Sequence, residues 1–261
     1  MRLGPYEVSA ANGFGPRVTG LRRDGGPEFF AHLDDDVVLE HSPTTVYRLR
    51  GGHRLWAAPE VPEISYAPDD LPCAIAETDG GFSIISPIDL AGLQKVINMS
   101  LDGERLAVDH RLTNRGSETI VVAPWAITMF RLGGLARLRV RNPTPNSDLQ
   151  ADRTLVLWPY SSLSDPRLSF HDDVVEIEGR AGPALKLGSG PDPGQLEYHL
   201  DGFVFTKEIV PAEAGGYADL GAVGQVFVKD LFLELESLGP MTSLGSGDSI
   251  DHREVWEIFP A

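Results

Sequence analysis

One stretch of the sequence has leucine at alternate positions and two glutamates between leucines: Leu231-Phe232-Leu233-Glu234-Leu235-Glu236-Ser237-Leu238. Because successive side chains of a β-strand point to opposite faces, this pattern places Leu231, Leu233 and Leu235 on one face and Glu234 and Glu236 on the other. The two carboxylates are then separated by roughly 7 Å along the strand. They belong either to a solvated edge or to one wall of a polar pocket that holds a hydroxyl-rich or protonatable ligand.

Strand-like segments recur along the whole chain, and each is bounded by Gly, Pro, Asn or Asp. Short turns such as Asp79-Gly80-Gly81 and Asp102-Gly103 join neighbouring segments, which indicates antiparallel pairing. No window has the apolar spacing of a long helix. The chain is therefore predicted to be all-β, a sandwich or a barrel. Besides Leu231–Leu238, the predicted strands are Arg17–Leu21, Val37–Glu40, Thr45–Leu49, Phe82–Ile85, Gln94–Ser100, Leu106–Leu112, Thr119–Ala123, Leu155–Trp158, Val174–Glu178, Phe203–Val210, Gln225–Val228 and Glu254–Phe259.

Composition predicts one large domain over residues 1–261. The 261 residues are 42% hydrophobic, enough for a sizeable core, and the glycine- and proline-rich run 188–194 is interpreted as a loop within that domain. A single cysteine, Cys73, excludes an intrachain disulfide. No apolar run is long enough to span a membrane, and no leader-like segment is recognised, so a cytoplasmic location is predicted.

The net charge of the chain is −16, with 22 basic residues against 38 acidic ones. Nucleic-acid affinity depends on basic side chains that neutralise phosphates, and anionic lipid repels an acidic surface. Neither nucleic acid nor a membrane is therefore expected as a partner.

The ten residues Gly51-Gly52-His53-Arg54-Leu55-Trp56-Ala57-Ala58-Pro59-Glu60 bring four chemically useful side chains together. We interpret this segment as a loop, because binding residues concentrate on loops. His53 and Arg54 offer directed hydrogen-bond donors, and the Trp56 indole offers an apolar platform for the C–H face of a sugar. The alternative is a tight turn in which Trp56 packs on the core and Arg54 pairs with Glu60 on the surface.

Two further residues are candidates for a binding site. Trp158 ends a predicted strand near a basic residue, although a core indole fits the same pattern. Lys207 interrupts an apolar series within Phe203–Val210. A buried ammonium needs a partner, which Glu234 or Glu236 could provide, whereas an edge strand would leave Lys207 in solvent.

Motifs for common cofactor chemistry are missing from the sequence. The seven histidines show no spacing typical of a zinc or iron site, and His110 is interpreted as a core histidine. There is no nucleophile elbow, no phosphate-binding glycine loop and no dinucleotide fingerprint. No metal and no cofactor are therefore predicted.

Four segments in order carry a family resemblance: Gly51–Glu60, His110–Asn114, Ala123–Thr128 and Phe232–Pro240. Together they resemble the galactose mutarotase-like superfamily, in particular an uncharacterised bacterial branch of the aldose 1-epimerase relatives. The resemblance implies an antiparallel supersandwich that binds a carbohydrate. It also implies a general base on a late strand, at the position of Glu234, with Glu236 on the same face. In the family, a histidine protonates the ring oxygen of the sugar.

The sequence departs from the family where that histidine is expected, because it reads Ile127-Thr128-Met129-Phe130. Isoleucine cannot transfer a proton. Either His53 or Lys207 supplies the acid, or the chain binds sugar without epimerising it. Arg54, Trp56, Glu60, Trp158, Lys207 and Glu236 are the predicted binding residues, with Glu234 and His53 as the predicted catalytic pair.

Two classes of function follow: an isomerase of the aldose 1-epimerase type, acting on a sugar or a sugar acid, and a carbohydrate-binding or sensing module without turnover. A polysaccharide-lyase relative is a third reading, but no helical segment is present to form the helical domain such enzymes usually carry. The basic residues hint at a carboxylated or phosphorylated ligand. The sequence leaves the oligomeric state open.

Overall fold

The computed structural model describes residues 1–42, 45–143, 149, 151–212 and 215–261. Almost all of its regular structure is strand, as predicted. The strands are β1 (Arg2–Leu3), β2 (Tyr6–Ala10), β3 (Arg17–Arg23), β4 (Val38–Ser42), β5 (Thr45–Arg48), β6 (Gly52–Ala58), β7 (Ala74–Thr78), β8 (Gly81–Ile85), β9 (Leu93–Asp102), β10 (Arg105–Asn114), β11 (Ile120–Arg131), β12 (Leu135–Arg139), β13 (Leu155–Leu157), β14 (Leu168–Phe170), β15 (Val174–Glu178), β16 (Leu185–Ser189), β17 (Gln195–Leu200), β18 (Phe203–Ile209), β19 (Gly224–Lys229), β20 (Phe232–Leu238), β21 (Thr242–Leu244) and β22 (Ser249–Pro260).

Two large antiparallel sheets form the body of the molecule. The first has the order β1-β2-β3-β6-β11-β20-β19-β16-β13, with β21 also paired to β11. The second has the order β14-β15-β12-β17-β18-β22-β10-β9-β8-β7. A separate hairpin of β4 and β5 completes the sheet structure of the described residues.

The main core lies between the two sheets. Leu233 and Leu235 of the first sheet belong to the same buried apolar cluster as Val108 and Trp256 of the second. A smaller cluster lies on the other face of the first sheet, where Trp56 and the hairpin residue Tyr47 meet. Both faces of the first sheet are therefore covered, and its central strands are buried along their whole length.

The prediction of an all-β antiparallel sandwich is confirmed, and every predicted strand overlaps an observed one. The loop interpretation of Gly51–Glu60 is wrong, because most of this segment is β6, between β3 and β11. A strand with both faces buried shows no apolar–polar alternation, so its periodicity could not reveal it. Gly51, which precedes β6, has a positive φ of 82°, and a Cβ there would overlap the carbonyl oxygen of Ala31. The backbone therefore requires glycine at this position.

Helical structure in the described residues amounts to one α-helical turn, α1 (Pro62–Ser65), and a 3-10 turn at Asp219–Gly221. No helix among them is both long enough and apolar enough to cross a bilayer. The helix α1 follows β6 and leads into the segment that carries Tyr66 and Asp69.

Candidate functional site

A cavity of about 260 Å³ lies on the outer face of the first sheet, over the centre of β6, β11 and β20. The β4–β5 hairpin and the turn between β19 and β20 close its sides. Its polar and aromatic lining consists of Arg54 and Trp56 from β6, Trp125 from β11, Lys186 from β16, Phe227 and Lys229 from β19, Phe232, Glu234 and Glu236 from β20, and Glu60, Tyr66, Tyr160 and Asp230 from loops and turns.

The strand register arranges these side chains in rows across the sheet, because directly opposed residues of neighbouring strands point to the same face. One row consists of Arg54, Ile127 and Glu236. The next row toward one side contains Trp56 and Trp125. The row on the other side contains Glu234 opposite Phe227.

Glu234 is held by Arg54. The Nη2 group of Arg54 donates to Oε1 of Glu234 over 3.0 Å, and both side chains are buried. The guanidinium also lies over the Trp56 ring, 4.4 Å from its centre. This pairing fixes the direction of the Glu234 carboxylate at the cavity wall. It also means that Arg54 already has an anionic partner within the protein.

Glu236 is 1% exposed and has two donors on one of its oxygens. The indole Nε1 of Trp125 donates to Oε2 over 2.7 Å, and the Nζ group of Lys186 donates to the same atom over 2.8 Å. The other oxygen, Oε1, is buried and has no hydrogen-bond partner among the described residues. Burial raises the pKa of Glu236 to about 7; the Lys186 ammonium opposes this rise and the Glu234 charge adds to it.

Lys186 lies between two indole rings. Its Nζ is 4.8 Å from the centre of the Trp125 ring and 4.6 Å from that of Trp158. Trp158 does not line the cavity itself, but its ring packs against Lys186.

At the cavity mouth, the Tyr66 hydroxyl donates to Oε1 of Glu60 over 2.5 Å. Burial raises the pKa values of Tyr66 and Tyr160, so both phenols remain neutral donors.

The structure brings five of the predicted site residues into one cavity: Arg54, Trp56, Glu60, Glu234 and Glu236. This arrangement decides between the two interpretations of the acidic strand, because β20 lies inside a sheet and its carboxylates form a pocket wall. Leu231 precedes β20 and lines the cavity mouth instead of continuing the leucine face.

His53 and Lys207 do not reach the cavity, contrary to the expectation that they could act there. His53 is next to Arg54 on β6, so strand alternation turns its ring toward the core between the sheets. Lys207 lies on β18 of the second sheet, between β17 and β22, and is not on an edge. Both side chains are fully buried.

These two residues belong to a polar network inside the sandwich. His53 Nε2 lies 2.7 Å from His110 Nε2, and the Nδ1 atom of His110 lies 3.1 Å from the His252 carbonyl oxygen. Lys207 pairs with Glu254 over 3.0 Å, so its partner is neither of the glutamates suggested by the sequence. The hydroxyl of Ser237 contacts both Glu254 and His252.

Burial lowers the pKa values of all three histidines, that of His252 to about 3. They are therefore neutral in the folded chain at neutral pH. Burial alone would raise the pKa of Glu254, but the positive charge of Lys207 and the hydrogen bond from Ser237 lower it overall. The network contains one cation and one anion and is held together by hydrogen bonds.

His53, His110 and Glu254 offer ligand atoms within 4.8 Å of one another and could hold a metal ion by geometry alone. They come from β6, β10 and β22, so no spacing in the sequence could reveal the group. The Lys207 ammonium, however, already lies against the only carboxylate among them. A divalent cation placed there would be repelled by Lys207, and the cluster fits a structural hydrogen-bond network better than a metal centre.

Sequence reasoning did not assign Trp125, Lys186, Tyr66 and Tyr160 to the site. Trp125 lies in a segment that carries the family resemblance, but its role as a donor to Glu236 depends on the register between β11 and β20. Lys186 lies on β16, a strand that the alternation did not reveal. The two tyrosines come from loops whose path is set by tertiary structure.

No family model matches the chain, and no curated protein matches its sequence. Solved structures do match. A galactose mutarotase-like protein from Lactobacillus casei is 13% identical, with 99% of each chain covered and a TM-score of 0.58. A candidate aldose 1-epimerase from Escherichia coli K12 is also 13% identical, with 98% of this chain and 100% of that chain covered and a TM-score of 0.54. A candidate mutarotase from Salmonella typhimurium is 10% identical, with 99% and 88% covered and a TM-score of 0.58.

At sequence identities of 10–13%, the similarity to these structures shows the fold alone. The chain has the galactose mutarotase-like fold over nearly its whole length, as the sequence resemblance implied.

Proposed function

We propose that the chain binds a small carbohydrate in the cavity and interconverts its anomers, with Glu234 as the general base. The observation that carries this proposal is the pair of carboxylates in one aromatic-walled cavity, each held by a different cation. Arg54 holds Glu234 and Lys186 holds Glu236.

The lining of the cavity suits a sugar. Indole and phenol rings pack against C–H faces, while carboxylates and phenols pair with hydroxyl groups. Drug-sized ligands occupy pockets of about 300–1,000 Å³, so a cavity of about 260 Å³ suits a ligand of monosaccharide size. Arg54 and Lys186 already have carboxylate partners within the protein, so we test neutral sugars first.

Anomer interconversion needs a base at the anomeric hydroxyl and an acid at the ring oxygen. The Glu234 carboxylate, aimed by Arg54, is the group that takes the proton from the anomeric hydroxyl. Glu234 is only 6% exposed, and such burial strengthens the interaction between its carboxylate and a bound hydroxyl.

The test has two measurements on the purified chain. Proton NMR saturation transfer between the α and β anomers of a panel of neutral aldoses measures exchange, and thermal unfolding with each sugar measures binding. We expect exchange above the buffer rate for at least one sugar that raises the melting temperature, and we expect Glu234→Gln to abolish it. Exchange that is unchanged in Glu234→Gln contradicts the assignment of the base.

Binding without turnover is the second candidate, and one observation favours it. Ile127 lines the cavity where the family resemblance leads us to expect a histidine, and no histidine whose side chain the structure describes lines it. A sugar that raises the melting temperature without any anomer exchange in the unmodified chain supports this candidate over the isomerase.

A further inference from the structure

We propose that Glu236 is the second proton-transfer group of the site: it protonates the ring oxygen of the sugar and takes the place of the missing histidine. This inference rests on the proposed function and assigns the acid that the proposed function lacks. Two carboxyl groups on one strand would then perform both proton transfers.

The register places Glu236 beside the position that lacks the histidine. Ile127 on β11 and Glu236 on β20 are directly opposed, so both side chains project from the same face of the sheet. In antiparallel sheets the Cβ atoms of such pairs are about 4.5–5.5 Å apart. A glutamate at 236 therefore reaches into the same part of the cavity as a side chain at 127 would.

The hydrogen bonds of Glu236 leave one oxygen for a ligand. Trp125 and Lys186 both donate to Oε2, which fixes the plane of the carboxyl group. Oε1 receives no donor from the described residues, although it is buried in the cavity wall. Leaving a polar atom unsatisfied inside a protein costs free energy, and such atoms are often found at functional sites. A proton carried on Oε1 could be donated to the ring oxygen of a bound sugar.

The environments of the two glutamates differ in the way that acid and base roles require. Glu234 faces the Arg54 guanidinium, whereas burial and the Glu234 charge raise the pKa of Glu236 to about 7 against the opposing effect of the Lys186 ammonium and the Trp125 hydrogen bond. A carboxyl group whose surroundings hold its proton near neutral pH is suited to act as a general acid at that pH. Near neutral pH a substantial fraction of Glu236 therefore carries a proton.

The proton and electron balance closes within these two residues. The Glu234 carboxylate takes the proton from the anomeric hydroxyl, a C=O double bond forms at the anomeric carbon, and the bond from that carbon to the ring oxygen breaks. The electron pair of the broken bond remains on the ring oxygen, which takes the proton of Glu236. After rotation about the adjacent C–C bond, the reverse steps close the ring on the other face, return each proton and restore both glutamates.

The test compares Glu236→Gln with Glu234→Gln and with Glu208→Gln, which removes an exposed carboxylate of the second sheet. We expect Glu236→Gln to lower kcat/KM for anomer exchange by at least ~100-fold, within the usual contribution of general acid catalysis. The thermal shift given by the sugar should persist in this variant. Glu208→Gln should have the same kcat/KM and the same thermal shift as the unmodified chain.

A pH profile separates proton transfer from a structural role. The unmodified chain should lose kcat/KM as pH rises through about 7, because Glu236 then loses the proton it must donate. Glu236→Asp should retain part of the activity, and its kcat/KM should also decline with rising pH, with a midpoint different from that of the unmodified chain.

The outcomes distinguish this inference from the proposed function. Exchange that is lost in Glu234→Gln but stays within about threefold of the unmodified rate in Glu236→Gln overturns the role of Glu236 and leaves the proposed function standing. Loss of the sugar-induced thermal shift in Glu236→Gln shows a binding role and also overturns the inference. Absence of exchange in the unmodified chain overturns both the proposed isomerase activity and the acid role of Glu236. The thermal shift then decides only whether the chain binds sugar.

Discussion

Ile127 on β11 and Glu236 on β20 are cross-strand partners in the floor of the cavity. Ile127, where the sequence departs from the resemblance, thus lies directly beside Glu236. Glu236 is on the same strand as Glu234, the predicted base. The neighbour of Ile127 on its other side is Arg54, which holds that base. Position 127 therefore lies between the cation that pairs with Glu234 and the carboxyl group of Glu236.

Introducing a histidine at position 127 should restore activity to a chain in which Glu236 is replaced by glutamine. In the double variant Glu236→Gln with Ile127→His, the imidazole projects from the same face as the lost acid, and its ordinary pKa near 6.5 suits proton transfer at neutral pH. We expect kcat/KM for anomer exchange to rise at least about tenfold above that of Glu236→Gln alone. Glu236→Gln with Ile127→Asn is the matched control, because asparagine is polar but cannot transfer a proton. Equal activity of the two double variants contradicts the prediction.

Arg54 should be needed as an arginine. Its guanidinium both pairs with Glu234 and stacks on Trp56, and lysine cannot reproduce these two contacts together. We expect Arg54→Lys to weaken sugar binding by about tenfold or more in calorimetric titrations. Arg22→Lys, which changes an exposed arginine paired with Glu7, is the matched control and should bind as the unmodified chain does. Full affinity in Arg54→Lys contradicts the geometry described for the base.

The pair of Lys207 and Glu254 inside the sandwich should show strong coupling in stability. Removing one member of a buried ion pair leaves the other charge without a partner and typically costs about 3–5 kcal/mol. We expect a loss of this size for Lys207→Met in urea unfolding. The double variant Lys207→Met with Glu254→Gln should be more stable than Lys207→Met alone, because it leaves no unpaired charge. Arg105→Met, which breaks an exposed pair, should change stability by less than about 1 kcal/mol.

The buried histidines should make the fold sensitive to mild acid. His53, His110 and His252 have lowered pKa values in the folded chain, so the unfolded chain binds protons below pH 6.5 that the folded chain does not. The free energy of unfolding should therefore fall as pH decreases from 7.5 to 5.5, with up to about 1.4 kcal/mol per pH unit from each histidine. Urea unfolding across this range checks the slope. His252→Gln should flatten it, whereas His171→Gln, which changes an exposed residue, should not.

The acidic face of Leu231–Leu238 was readable from the sequence because leucine and glutamate alternate over residues 233–236, and this segment predicted the two adjacent carboxylates Glu234 and Glu236. β6 was not readable as a strand, since its two faces are buried by different partners and its residues show no alternation. That error also misplaced His53, because a loop imposes no rule about neighbouring side chains, while a strand sends His53 and Arg54 to opposite faces. The contacts of Trp125 and Lys186 with Glu236 depend on pairings between strands far apart in sequence, which no local pattern contains.

Removing the hydrogen bond that Trp125 donates to Glu236 should shift the decline of kcat/KM with rising pH to a higher pH. The Trp125 hydrogen bond to Oε2 favours the ionised form of Glu236, so its loss in Trp125→Phe raises the pKa of the carboxyl group further. Glu236 then keeps its proton to higher pH, and kcat/KM should decline at a higher pH than in the unmodified chain. Trp158→Phe is the matched control, because Trp158 contacts Lys186 but makes no hydrogen bond to Glu236. A downward shift in Trp125→Phe, or an equal shift in both variants, contradicts the role assigned to this hydrogen bond.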